Sequence, residues 1–208
     1  GPWRVLKRLQ CLPVKPANPR YIPKPYEQMT HPGQRVQIDV KHVPAACIVG
    51  DAEGEKFYQY TAIDEFSRFR YVEAFREIST YSSMVFLEHM LKAFPFPVEC
   101  VQTDNGFEFT KRFGSSKSDK DLTLFEKKLA ELGIEHKKIR PFTPRHNGKV
   151  ERSHRKDNEY FYATHRFYSF EDFSKQLKIH NKKYNNFPMR PLGWKSPRET
   201  LKSFLHSV

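Results

Sequence analysis

PVECVQTDNGFEF, residues 97–109, starts as a β-rich run and ends in an acid, an amide and a glycine before aromatics resume. Asp104 and Asn105 bond readily to their own backbone and Gly106 tolerates positive φ, so a turn is expected where the strand stops. The strand is reached across a helix. After Ser79 and Thr80, both good N-caps, Met84, Leu87, Leu91 and Phe94 recur at helical spacing until Pro95 ends the run. A strand that follows a helical crossover can lie parallel to an earlier one, and the expected sheet is therefore mixed.

Upstream, Val36, Ile38 and Val40 alternate with Gln37, Asp39 and Lys41, the period of a half-buried strand. KFYQYTAID (56–64) and RFRYVEAF (68–75) are β-rich runs joined by the short turn EFS, which gives three antiparallel strands. Downstream, KRFGSSKSDKD (111–121) reads as a polar loop. Leu122, Phe125, Leu129 and Leu132 mark an amphipathic helix closed by Gly133, and IEHKKI (134–139) fits a fifth strand. After the loop RPFTPRHNG (140–148), helices are expected from about Lys149 to His165 and, capped near Ser169, from about Phe170 to Tyr184. The tail NNFPMRPLGWKSPRETLKSFL reads as a Pro-punctuated arm with one last short helix. The expected fold is α/β: a mixed five-stranded sheet, three antiparallel strands plus two parallel, flanked by helices. Three regions follow: a Pro-rich basic linker over 1–33, an α/β core over 34–168, and a C-terminal helix and arm over 169–208.

Lys and Arg number 36 against 24 acids, a formal charge of +12 that favours a polyanionic partner, most simply nucleic acid. Charge alone does not separate DNA from RNA or an anionic membrane. No run approaches the roughly 18 apolar residues of a spanning helix, and GPWRVLKRLQ lacks the apolar core of a signal peptide, so a cytoplasmic protein is expected. Cys11, Cys47 and Cys100 are odd in number and widely spaced, which argues for reduced thiols. Gly1-Pro2 without a starting Met reads as the remnant of a protease site, so a longer protein with a further domain upstream is expected. Lys15, Arg20 and Lys24 in the linker can follow a phosphate backbone or belong to a solvated tether.

Three acids carry the chemistry. Asp39 sits mid-strand, Asp104 ends another strand and Glu151 opens a helix. With the first and fourth strands adjacent, both aspartates can face one crevice beyond the strand ends, and a helix beside that edge can bring in Glu151. Carboxylates gathered in this way repel one another unless a cation lies among them, and hard oxygen ligands select Mg²⁺ or Mn²⁺. Two such ions suit phosphoryl transfer, with Asp39 bridging, Asp104 completing one ion's ligands and Glu151 the other's. Singly, each acid has a plainer reading: a surface acid, a turn former, and a carboxylate favoured by a helix dipole.

At these residues the chain resembles the catalytic core of the retroviral-integrase and bacterial insertion-sequence transposase superfamily. The matching pieces are VQIDV around Asp39, AIDEFSRF (62–69), QTDNGFEF around Asp104, and RPFTPRHNGKVERSHR around Glu151; the last looks more like the bacterial transposases than the retroviral enzymes. The likeness spans roughly 31–200, since RPLGWKSPRETL (190–201) resembles the arm that follows the core in those transposases. It implies a ribonuclease-H-like fold and an Asp39, Asp104, Glu151 triad holding two Mg²⁺ (or Mn²⁺) ions. The implied chemistry is hydrolysis at a transposon end to free a 3′-hydroxyl, then attack of that hydroxyl on target DNA. A DNA-bridging homo-oligomer, an upstream DNA-binding domain and a bacterial, nucleoid-associated location are implied too, with no membrane and no small-molecule cofactor. The separation of Asp104 from Glu151 is longer than in the best-known members, and an insertion at the loop 111–121 would account for it cheaply.

Asp64, in AIDEFSR, is the rival acid; the family pattern makes it a structural turn partnered by Ser67 and Arg68. Asn105 and Gly106 are expected to let the backbone pass close to the scissile phosphate. Arg155 and Asn158 follow Glu151 at i+4 and i+7 and share its helix face, within reach of a phosphate, with a Glu151–Arg155 helix ion pair as the plain alternative. Arg145, His146, Lys149 and Arg152 complete the expected DNA contacts, although His146 and Asn147 also fit a helix-start turn. Tyr160, Phe161 and Tyr162 suit base stacking or, more simply, the core. His31, His42 and Cys47 lack zinc-ligand spacing. Two readings compete with a transposase core: a catalytically silent DNA-binding or assembly fragment, and a nuclease of the same fold that cuts without joining.

Overall fold

The computed structural model describes residues 2–9, 27–111, 122–139 and 147–206. Its elements are α1 (Pro2–Arg8), β1 (Val36–His42), β2 (Tyr58–Asp64), β3 (Arg70–Phe75), α2 (Thr80–Ala93), β4 (Cys100–Thr103), α3 (Leu124–Glu131), β5 (Glu135–Lys138), α4 (Gly148–Asp157), α5 (Phe170–Asn185) and α6 (Pro197–Leu205). Helix starts follow local chemistry. Ser79 and Ser169 accept backbone N–H bonds at the heads of α2 and α5, while Thr123 with Glu126 and Ser196 with Glu199 form capping boxes on α3 and α6.

The strands make one mixed sheet in the order β3-β2-β1-β4-β5. β1 pairs antiparallel with β2 and parallel with β4, which is in turn parallel to β5. The mixed α/β sheet expected from the alternation and the α2 crossover is the one observed, in the ribonuclease-H-like arrangement that the family resemblance implies. One sheet face is oily: Ile38, Tyr60 and Val101 pack with Phe86 and Leu87 of α2 and Phe125 of α3. The opposite face meets α4 and α5. There Val72 and Ala74 pack with Phe161, Phe173 and Leu177, but the strip nearer β1 is polar. Gln37, Gln59 and Thr61 are fully buried in it. Alternation on β1 suggested a solvent side for Gln37, and the structure corrects this, because α4 lies across it and hydrogen bonds replace water.

Two further expectations change. The helix after residue 148 does not run evenly to His165: α4 gives way to a π-helical turn over Asn158–Tyr162. The segment read as a linker over 1–33 carries the short helix α1, and its described end packs on the body: Met29 is buried, His31 meets Glu99 at 2.9 Å, and the Gly33 N–H donates to Asp64 Oδ1 at 2.9 Å. Gly33 has φ +84°, and a Cβ there would stand 1.8 Å from the Pro97 carbonyl oxygen. Gly33→Ala is therefore expected to cost roughly 2 kcal/mol or more, read as a lowered urea midpoint, because backbone strain and a backbone clash coincide. Among the described residues Cys47 and Cys100 are free, buried thiols, and no helix is long and apolar enough to cross a membrane.

Candidate active site

Register places the first two acids. Val36 pairs with Val101 and Gln37 with Gln102 along the parallel β1–β4 ladder. The ladder ends there; two residues further along each chain, Asp39 and Asp104 follow on neighbouring strands, and the charges of both are felt by Glu108. Asp39 is partly exposed, and its Oδ2 lies 3.2 Å from Nδ1 of His154. Nε2 of the same ring is 3.0 Å from Oγ1 of Thr61, the residue opposite Asp39 on β2. A carboxylate only accepts, so in the neutral ring Nδ1 carries the proton toward Asp39 and Nε2 takes the threonine proton. His154 thus fixes the Asp39 carboxylate from α4.

Asp104 is exposed, and its Oδ1 accepts from the Gly106 N–H at 2.9 Å, the turn foreseen at the strand end. Asn105 donates from Nδ2 to the Ile139 carbonyl at 2.8 Å and anchors that turn to the chain leaving β5. Glu108 follows, largely buried, its carboxyl pushed above the usual range by burial and then by the charges of Asp104 and Asp39. A Cβ at Gly106 would stand 2.5 Å from Glu108 Oε2, so the glycine makes room for that carboxyl.

Glu151 is placed through Gln37. Asn147, at the N-cap of α4, makes no side-chain cap bond; Gln37 Oε1 instead accepts from the N–H groups of Lys149 and Val150, both at 3.1 Å. A buried amide on β1 thereby satisfies orphan donors at the head of α4. Gln37 Nε2 donates to Glu65 Oε1 at 2.6 Å, and Glu65 Oε2 receives the Lys149 ammonium at 2.8 Å, closing the circuit. Glu151, next on the helix, is exposed, and its pKa is raised by partial burial and by the charge of Asp39, with His154 opposing. Because α4 packs on β1, Glu151 lies near enough to Asp39 for the two charges to repel. The acids do not close on a point: among the described residues no three Asp, Glu, His or Cys side chains are gathered tightly enough to hold a cation. Asp39 is the common neighbour, felt by Glu151 and Glu108, while Asp104 is felt by Glu108.

The expected DNA contacts divide. Arg152 and Arg155 are exposed. Asn158 is exposed too, but its Oδ1 receives the Lys41 ammonium at 2.6 Å. Lys149 turns toward Glu65 rather than outward, and burial lowers its pKa. Arg145 and His146 lie outside the described residues. Tyr160 is exposed, whereas Phe161 and Tyr162 are buried, so core packing accounts for two of the three aromatics. Asp64 is fully buried, accepting from the Gly33 N–H and from the N–H and hydroxyl of Ser67, as a turn-forming acid should. Arg68 takes φ +62° in that turn. Sequence reasoning missed Gln37, Glu108 and His154. The signals were present: a polar residue on a central strand, an acid four places past Asp104, and a histidine one helical turn past Glu151.

Two models described as "Integrase core domain" match the chain, over residues 29–144 and 132–197. A curated relative, "Putative integrase ORF3" of Spiroplasma virus SpV1-C74, is 27% identical over 170 residues, covering 69% of this chain and 45% of its own length. The chain thus spans under half of that relative. Among solved structures, the simian T-cell lymphotropic virus intasome, in complex with PP2A regulatory subunit B56 gamma, aligns at TM-score 0.65 and 18% identity, over 88% of this chain and 60% of the other. The catalytic core domain of BIV integrase aligns at 0.57 and 18%, over 84% and 97%. The HTLV-2 integrase catalytic core domain, described in complex with magnesium in a trimeric form, aligns at 0.56 and 18%, over 81% and 96%. These likenesses share the fold. Because the first integrase core model alone spans more than half of the 208 residues, the chain belongs to the integrase core domain family.

Proposed function

We propose that this chain is the catalytic domain of a DNA transposase or integrase: it cleaves at DNA ends to free a 3′-hydroxyl and joins that hydroxyl to target DNA. One observation carries the reading. Asp39 on the central strand and Asp104 at the end of the neighbouring strand both act on Glu108, and Glu151 is within electrostatic reach of Asp39, through a helix that Gln37 and His154 tie to the same strand.

The donor set fits a hard divalent cation: carboxylate oxygens, two of the three acids exposed, with a mutual repulsion that positive charge would relieve. Two Mg²⁺ or Mn²⁺ ions held by Asp39, Asp104 and Glu151 would supply an activated water or sugar hydroxyl and neutralise charge on the reacting phosphate. The chain's own part is positioning. His154 orients Asp39, the Asn105 turn presents Asp104, and the Gln37–Glu65–Lys149 circuit fixes the head of α4 and so Glu151. Exposed Arg152 and Arg155 are suited to flanking phosphates. Structural neighbours named as an intasome and as a trimeric core support a multimer that brings two DNA ends together. We further read residues 34–168 as the core and 169–208 as a C-terminal helix and arm.

The test is incubation with labelled transposon-end duplex and unlabelled plasmid, with Mg²⁺ or Mn²⁺ or with chelator. Products joined to plasmid in metal, and none in chelator, are expected. Cut ends without joined products would make this a nuclease of the same fold; retention of DNA without either product would make it a silent binding module.

A further inference from the structure

Gln37, Asp39 and Lys41 alternate along the face of β1 that α4 covers. The Lys41 side chain therefore leaves the strand on the same side as Asp39, about 7 Å further along at roughly 3.3 Å per residue. Lys41 is half-buried, its pKa lowered by that burial, with the charges of Asp157 and Asp39 acting the other way. Its ammonium donates to Asn158 Oδ1 at 2.6 Å and lies 5.5 Å from the centre of the Tyr162 ring. Asn158 stands two turns past Glu151 on the same side of the helical run, where α4 passes into its π-turn.

This lysine is aimed by neutral groups. Its hydrogen-bond acceptor is an amide, and its aromatic neighbour is a phenol ring, while Asp39, two residues back on the same face of the strand, is close enough for its charge to be felt. An ammonium has three donors, and an amide oxygen occupies one of them. A cluster of carboxylates repels a polyanion, so a fixed positive charge two residues from Asp39 offsets that repulsion where a phosphodiester has to lie.

We propose that Lys41 is a DNA-contact residue, aimed by Asn158 and Tyr162 to bind a backbone phosphate adjoining the one at Asp39. Phosphates of one strand follow one another at about 3.4 Å along the helix axis, so Lys41 reaches one or two nucleotides from the reacting position. The inference rests on the proposed function. It also reassigns Asn158, which holds Lys41 rather than touching DNA itself.

Binding of the full chain to a duplex of about 30 base pairs, titrated from roughly 50 to 200 mM salt without divalent metal, tests both. Each phosphate neutralised contributes about 0.9 to the slope of log affinity against log salt. Lys41→Met keeps the apolar stem and is expected to shrink that slope by about one, with Lys41→Arg restoring it. Asn158→Ala keeps the charge and is expected to preserve the slope while weakening affinity. A purely structural lysine would lower the melting temperature of Lys41→Met and leave the slope intact, which overturns the inference but not the transposase reading. Salt-independent or absent binding by the wild-type chain overturns that reading, and this inference with it. Should Lys41→Met fail to fold, acetic anhydride labelling of the wild-type chain decides: Lys41 should be shielded by the duplex several-fold more than exposed Lys202, and equal labelling of the two refutes the contact.

Discussion

Asp39→Asn should reduce cleavage and strand transfer by well over about 100-fold while leaving most DNA affinity in place. The scale follows from metal chemistry: disturbing a partner behind a metal ligand already costs about 10 to 100-fold, and under the proposed function the carboxylate that would bind both ions loses its charge. Asparagine is nearly isosteric, so the fold should survive. Its amide can still accept from His154 Nδ1, the 3.2 Å neighbour, with one oxygen in place of two. Charge repulsion should fall at the same time: Glu151 and Glu108, both raised in part by Asp39, should titrate closer to ordinary carboxyls, a change that ¹³C-edited NMR of the glutamate carboxyls can follow. Joined-product yield in Mn²⁺ is the primary measurement. Activity within about tenfold of wild type would remove Asp39 from the chemistry and the proposed function with it.

The second large effect concerns stability. Arg70 of β3 and Asp157 of α4 are both fully buried and pair through Nη1 at 2.8 and 2.9 Å. Ser153 accepts from the same nitrogen at 2.7 Å, Asn181 from Nε at 3.1 Å, and the guanidinium lies 3.8 Å from the Tyr184 ring centre. Asp157 also meets His180 at 2.8 Å and receives the Gln59 amide at 2.8 Å. Removing one member strands a buried charge. Arg70→Met is therefore expected to cost about 3–5 kcal/mol, and the melting temperature should fall by roughly 10 °C in a chain of this size. The double variant Arg70→Met, Asp157→Leu should lose less than the sum of the single losses, since neither charge is then abandoned. Acid should act in the same direction. Although burial opposes it, Arg70 with its hydrogen-bonding neighbours holds the Asp157 carboxyl far below the usual range. Its contribution is thus complete above the ordinary aspartate value near 4 and is lost as pH falls below that toward the lowered one. Urea midpoints at pH 3 and 7 would show whether the wild type loses more with acid than the double variant.

Much of the architecture was legible because it rests on local rules. Period-two alternation located β1, β-rich runs either side of a short turn located β2 and β3, the Ser79 cap and the stop at Pro95 framed α2, and the crossover made β4 parallel. What stayed hidden depends on partners far along the chain. Gln37 looks like a solvent-facing residue until a helix 112 positions later lies on it, and Asp157 looks like a surface acid until Arg70 is found beneath it. Nothing local announces either. The places of the candidate acids on their elements were legible, since Asp104 ends a strand and Glu151 opens a helix, but the groups around them were not. His154 acts through Asp39, and Glu108 is drawn in only by the tight turn at Gly106.

β1 is flanked on both sides, by an antiparallel neighbour and a parallel one, and this has a consequence for how the site survives error. A slip of one residue against either partner would swap Gln37, Asp39 and Lys41 for Val36, Ile38 and Val40 on the α4 side, pushing an acid and a lysine into oil. Two hydrogen-bond ladders of opposite polarity, each with its own spacing, would have to slide together for that to happen. Asp39 is thus carried by a strand that two unlike ladders hold in place.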